Sequence, residues 1–234
     1  MKGLQLPLGV QLPDTASFET YYAGPNAEAV AALRAAADGA PPLLLLYGPA
    51  GTGKSHLLQA LTRVAARSAA CAYVPLRELR AEGAGPADTL DGLEQAQLVC
   101  LDDIDAVLAQ PDWMLALLRL LDALRTHGRR AVLAAPAAPE RLALELPDLR
   151  TRLAQAAVYG LKPLSDHDRT GLLLERARAR GLELPEDAAR VLLIRLPRDP
   201  GSLVAAIDRL DRALLSAQRK LTLTFVQQWL KDSP

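Results

Sequence analysis

The sequence predicts an α/β fold: a parallel sheet covered by helices on both faces, followed by a small all-helical unit. Three observations lead there. Apolar runs of strand length alternate with helix-periodic segments over about the first 160 residues, the pattern of a buried parallel sheet. A glycine-rich loop joins the first such run directly to a helix. After Gly160 no further strand is readable, and every periodic segment has helical spacing.

Residues 1–24 read as an arm rich in Gln, Leu and Pro, with Phe18, Tyr21 and Tyr22 near its end. An Ala-rich helix over 26–38 is stopped by Gly39 and by Pro41-Pro42. The run 43–47 is the first strand, and the helix behind the glycine-rich loop reaches about Arg67. Strands follow at 71–74 and 98–101, with a surface loop at 82–86 and the pair Asp102-Asp103 closing the third strand. A helix over 112–127, stopped by Gly128, leads to a strand over 131–135, and a short fifth strand is expected at 157–159. Ser165-Asp166-His167-Asp168 reads as a capping box for a helix ending at Gly181. Pro185-Glu186-Asp187 opens a second helix to about Leu196, a third spans 202–219, and Thr224 is expected to cap a fourth through Leu230. The expected organisation is an arm (1–24), an α/β core (25–162) and a helical lid (163–234).

The bulk numbers narrow the class. A chain of 234 residues accommodates one α/β domain and an appendage. Formal net charge is zero, which leaves no global basic field to draw nucleic acid. Arg176-Ala177-Arg178-Ala179-Arg180 is expected to be the solvated face of a helix. Cys71 and Cys100 sit in apolar runs and read as reduced core thiols; the three histidines lack metal-ligand spacing. The apolar residues near the N-terminus are interrupted by Gln5, Pro7 and Gln11, unlike a secretory signal. The most apolar helix, 113–124, carries Arg119 and Asp122 and reads as amphipathic. A cytoplasmic protein with no membrane partner is expected.

The informative stretch is Gly48-Pro49-Ala50-Gly51-Thr52-Gly53-Lys54-Ser55, followed by His56. Its spacing is that of a phosphate-binding loop. Glycines let the backbone turn its N–H groups inward and approach the phosphates, Lys54 brings a positive charge to the β- and γ-phosphates, and the Ser55 hydroxyl can ligate Mg²⁺. The helix N-terminus adds its dipole to the anion site. Two adjacent aspartates alone would be a solvated strand end. Behind four apolar residues and downstream of such a loop, Asp102 is placed to hold Mg²⁺ through a water, and Asp103 to orient an attacking water. The expected cofactor is ADP or ATP with Mg²⁺.

These two motifs, on an α/β core with a helical lid, resemble the AAA+ family. Gly53-Lys54-Ser55-His56-Leu57-Leu58, Leu101-Asp102-Asp103-Ile104 and residues 146–153 are similar to the branch related to the bacterial replication initiator DnaA. Gln5-Leu6-Pro7-Leu8, Gln11-Leu12-Pro13-Asp14, residues 161–166, 183–187 and 217–222 resemble the Hda family of short DnaA homologues, over nearly all of 4–231. The resemblance implies a negative regulator that promotes ATP hydrolysis on DnaA. It further implies that Gln5, Leu6, Leu8 and Val10 dock on the DNA polymerase III sliding clamp, with DNA contacted mainly through that clamp. Arg152 would be the arginine finger acting in trans, with Arg150 a nearby rival. The chain stops after the lid, where the initiator continues into a DNA-binding domain.

Two positions depart from the family. The fourth strand ends in Ala134-Ala135-Pro136-Ala137, with no polar sensor, and the lid helix opens with Asp199-Pro200-Gly201-Ser202, where Gly201 stands in place of an arginine. A nucleotide binder with weak hydrolysis of its own is therefore expected, acting on a partner more than as an independent enzyme. The alternative is a stand-alone AAA+ ATPase such as a helicase loader or remodeller. Homo-oligomerisation stays open.

Overall fold

The computed structural model describes residues 16–39, 41–217 and 219–232. The chain divides between Lys162 and Pro163 into two compact units.

In the first unit a short turn leads into α1 (Ala27–Asp38), and β1 (Leu43–Tyr47) enters α2 (Lys54–Ala65) through the glycine-rich loop. Next come β2 (Cys71–Pro75), α3 (Leu76–Ala81), α4 (Pro86–Leu90), β3 (Leu98–Asp102) and α5 (Pro111–Thr126). The unit closes with β4 (Arg130–Ala135), α6 (Pro147–Ala154) and β5 (Ala157–Gly160). All ladders are parallel, in the order β2-β3-β4-β1-β5. The register pairs Leu43 with Ala131, Leu44 with Ala157 and Leu98 with Arg130, so the carboxyl ends of β1, β3 and β4 lie along one edge.

Strand side chains alternate between two cores. Leu45, Val99, Leu101 and Leu133 pack with Trp113, Leu117 and Leu121 of α5, while Leu44, Leu46, Leu98, Cys100 and Val132 pack with α1 and α2. Each fully buried leucine contributes roughly 1.5–3 kcal/mol, which explains why these strands read as continuous apolar runs. Both cysteines are free and buried, and burial pushes the Cys100 thiol up to about 12, which leaves it unreactive.

The second unit comprises α7 (Asp166–Ala179), α8 (Glu186–Arg195), α9 (Pro200–Ala217) and α10 (Leu223–Asp232). Leu172, Leu173, Leu192, Leu203, Ile207, Leu210 and Val226 form its interior. The expected capping box is present: Ser165 Oγ accepts from Asp168 N at 3.1 Å, and Asp168 Oδ2 accepts from Ser165 N at 2.9 Å.

Three expectations need correction. The α10 cap is Thr222, whose Oγ1 accepts from Phe225 N at 3.2 Å; Thr224 lies inside the helix. Helices α3 and α4 flank the surface loop and were not foreseen, since six and five residues are too few to show a period. The Arg-rich stretch is only partly solvated. Arg176 is half-buried, and Arg180 pairs with Asp208 at 2.6 Å and Asp211 at 3.3 Å on α9. Among the described residues no helix is long and apolar enough to cross a membrane.

Ser165→Ala should lower the stability of the second unit by about 1 kcal/mol in urea melts. The Ser165 side chain and backbone hold the Asp168 carboxyl below its ordinary value. A depressed folded value stabilises above the unfolded one. The deficit of Asp168→Asn relative to wild type should therefore be present at pH 7 and shrink below about pH 4.

Candidate phosphate-binding site

The loop leaves the carboxyl end of β1 and is pinned at its root. Gly48 N donates to Ala135 O of β4 at 3.2 Å, and a Cβ on Gly48 would lie 2.7 Å from Leu161 O, so only glycine fits. Gly53 caps α2 with φ +87°, in the left-handed region. Thr52 Oγ1 donates to Pro49 O at 2.9 Å and closes the turn. Pro49, Ala50 and Gly51 form the exposed tip. Lys54 is buried, with Nζ donating to Gly48 O at 2.8 Å and Pro49 O at 3.2 Å. Its charge thus sits inside the curl, beside the amino end of α2.

Asp102 ends β3 and is 3 % exposed. Burial raises its pKa, opposed by hydrogen bonds from the Ser55 hydroxyl and Tyr73. The Tyr73 hydroxyl donates to Asp102 Oδ2 at 2.8 Å, and Asp103 N donates to Oδ1 at 3.0 Å. Ser55 and Asp102, from two separate motifs, therefore meet. A hydroxyl and a carboxylate at one point suit a hard, oxygen-seeking cation such as Mg²⁺, whose other ligands would be phosphate oxygens and water. Among the described residues no cluster of three or more His, Cys, Asp or Glu side chains forms a metal cage.

Asp103 does not join this pair. It is the single non-glycine residue with positive φ among the described residues, at φ 51° and ψ 51°. Its Oδ2 accepts from Arg77 Nε at 2.8 Å, while Arg77 Nη2 reaches Asp105 Oδ2 at 2.8 Å. Its carboxylate is thus engaged by Arg77. His56 faces the incoming chain: Nε2 lies 2.9 Å from Ser17 O and 3.2 Å from Thr20 Oγ1. Tyr21 crosses behind the loop and donates to Thr52 O at 3.0 Å, and Asn26 Nδ2 joins the Tyr21 hydroxyl to Lys162 O, each at 3.1 Å.

Between the loop and Asp102, β4 contributes Ala134 and Ala135, both fully buried, and then exposed Pro136. No polar side chain ends that strand. In the second unit, Gly201 precedes Ser202, whose N–H donates to Asp199 Oδ1 at 2.8 Å. Arg198 pairs with Asp166 at 3.4 Å, within the same unit.

Arg152, on α6, is held rather than free. Its Nη2 lies 2.5 Å from Asp122 Oδ1 of α5, its Nη1 donates to Gln155 Oε1 at 2.8 Å, and its side chain is 16 % exposed. Its Nε is buried without a partner. Arg150 is the more exposed of the two, with one guanidinium nitrogen donating to Leu144 O. Gln5, Leu6, Leu8 and Val10 lie outside the described residues.

Sequence reasoning missed Tyr73, Arg77, Tyr21 and Asn26. Only Tyr73 left a signal: a hydroxyl in an apolar strand next to the one that ends in Asp102, diagonal to it in the register.

Two family models match the chain: the ATPase family associated with various cellular activities over 44–158, and the Hda lid domain over 166–230. Domain III of the Thermotoga maritima replication initiation protein DnaA superposes with a TM-score of 0.72 at 21% identity, covering 96% of this chain and 100% of that one. Replication initiator DnaA bound to AMPPCP and single-stranded DNA gives 0.71 at 20% identity, covering 89% and 69%. The Thermotoga maritima RuvB Holliday junction branch migration motor gives 0.60 at 16% identity, covering 92% and 73%. At these identities the structural likeness establishes the fold.

Gly53→Ala meets two obstacles: the left-handed backbone, and Tyr21 Cε2 2.6 Å from the added Cβ. The backbone alone should cost about 1–2 kcal/mol in thermal or urea melts. In a Tyr21→Ala background, which lacks the clashing ring, Gly53→Ala should cost only that backbone part.

Proposed function

Because the chain is an Hda-like, DnaA-related AAA+ protein, we propose that it holds ADP or ATP with Mg²⁺ in its own loop and promotes hydrolysis of ATP bound to the initiator DnaA, as a negative regulator of replication initiation in the cytoplasm. One observation carries this reading. The loop, Lys54 and the Ser55–Asp102 pair are intact, while the strand between them ends in Ala134, Ala135 and Pro136. Such a site can grip a nucleotide but lacks a side chain to sense its terminal phosphate from β4.

Lys54 would supply the charge opposite the phosphates and the α2 amino terminus its dipole. Ser55 and Asp102 would hold Mg²⁺, which when bound neutralises phosphate charge. Asp103, tied to Arg77, would need to leave that pair before it could orient a water, which fits weak intrinsic turnover. Gln5, Leu6, Leu8 and Val10 would tether the protein to the sliding clamp on DNA, raising its local concentration near the initiator.

Arg152 is the residue we assign to the partner's active site. Its guanidinium would exchange Asp122 for the terminal phosphate of the neighbouring ATP, one charge-assisted, planar contact for another. The exchange replaces one anionic acceptor with another. It would also offer a new acceptor to the orphaned Nε.

Phosphate release from ATP-loaded DnaA, with clamp on DNA, tests this. Wild type should stimulate release. Arg152→Ala should remove most of the stimulation, since arginine fingers are worth roughly 10³–10⁵ in rate. Asp122→Ala, which removes the acceptor holding the guanidinium, should preserve or increase it. Deleting residues 4–10 should abolish the clamp-dependent part alone. Brisk ATP turnover without partners, indifferent to the deletion, would instead favour a stand-alone ATPase such as a helicase loader.

A further inference from the structure

Asp102 ends a relay of side chains that the phosphate loop does not itself explain. Gln59 Nε2 donates to the Tyr73 hydroxyl at 3.2 Å, and that hydroxyl donates to Asp102 Oδ2 at 2.8 Å. Ser55, which acts on the same carboxylate to lower its pKa against burial, is four residues from Gln59 on α2 and so shares its helix face. The relay therefore starts on the helix that carries the loop and passes through β2 to β3.

We infer that Tyr73 is the positioning residue of this site: it fixes the Asp102 carboxylate where that carboxylate and the Ser55 hydroxyl share one divalent cation. The inference rests on the reading of the loop as a Mg²⁺–nucleotide site. Asp102 lies at the end of a strand, and Asp103 N restrains only its Oδ1. Tyr73 supplies the donor to Oδ2, which sets the rotation of the carboxylate plane. The Tyr73 hydroxyl can donate only once, and Gln59 fills its acceptor side, so its proton is committed to Asp102. Hydrogen bonds in series polarise one another in a buried setting, which tightens the hold. A packing role alone would require the ring of Tyr73 and not its hydroxyl.

Tyr73→Phe removes that hydroxyl and keeps the ring. ADP affinity is measured by calorimetry on the full chain, once with Mg²⁺ and once with EDTA. The variant should lose about tenfold of the Mg²⁺-dependent gain in affinity, the order expected for a hydrogen bond to a charged group. Affinity in EDTA should stay within about twofold of wild type. Gln59→Leu should shift the Mg²⁺-dependent gain in the same direction by a smaller factor, and it carries the test if Tyr73→Phe fails to fold by circular dichroism. An unchanged Mg²⁺-dependent gain, or equal losses with and without Mg²⁺, overturns the assignment of Tyr73. If wild type itself binds no ADP, or binds it without a Mg²⁺ effect, the nucleotide-site reading falls and the Tyr73 assignment with it.

Discussion

The parallel ladder β1–β4–β3 is the constraint on which the rest depends. In-register pairing brings the ends of β1 and β3 to one edge of the sheet, with a single strand between them. A loop that leaves β1 and an acid that ends β3 can then act on one ligand although they are about 50 residues apart, as expected at the carboxyl edge of an open α/β sheet. Leucine on both faces of β1 leaves the register to be fixed by more than hydrophobic pattern, and Gly48 N, donating to Ala135 O at 3.2 Å, ties the root of the loop to the end of β4.

Charge in this molecule is balanced globally and concentrated locally. Lys54 is buried beside carbonyl oxygens, and Asp102 is buried beside three donors. Neither arrangement stabilises the fold as well as apolar packing would, since desolvating a charge is expensive and each partner only offsets that cost. The left-handed Asp103 belongs to the same economy of strain, held in place by Arg77.

The sheet was legible because a strand buried on both faces reads as an unbroken apolar run, and the loop because its spacing is dictated by phosphate geometry. The capping box at Ser165 was legible because it is local: donor and acceptor lie three residues apart. Thr222 and Thr224 could not be separated by the same reasoning, because both precede apolar residues and only the backbone path selects one. Tyr73, Arg77 and Asp122 act across 29, 26 and 30 residues of sequence respectively, so no local pattern announces them. The same distance hid the fact that Arg152 is clasped by another helix.

The segment from Ser17 to Asn26 is stitched to the loop and its helix through Thr52 and His56, and to the end of the first unit through Lys162. Mechanical load applied to the chain ahead of Ala16 would consequently reach the core through Phe18 and the phosphate loop through Tyr21 within a few residues of each other. A pull on that end would therefore strain the loop and the core together, so the two could not loosen independently.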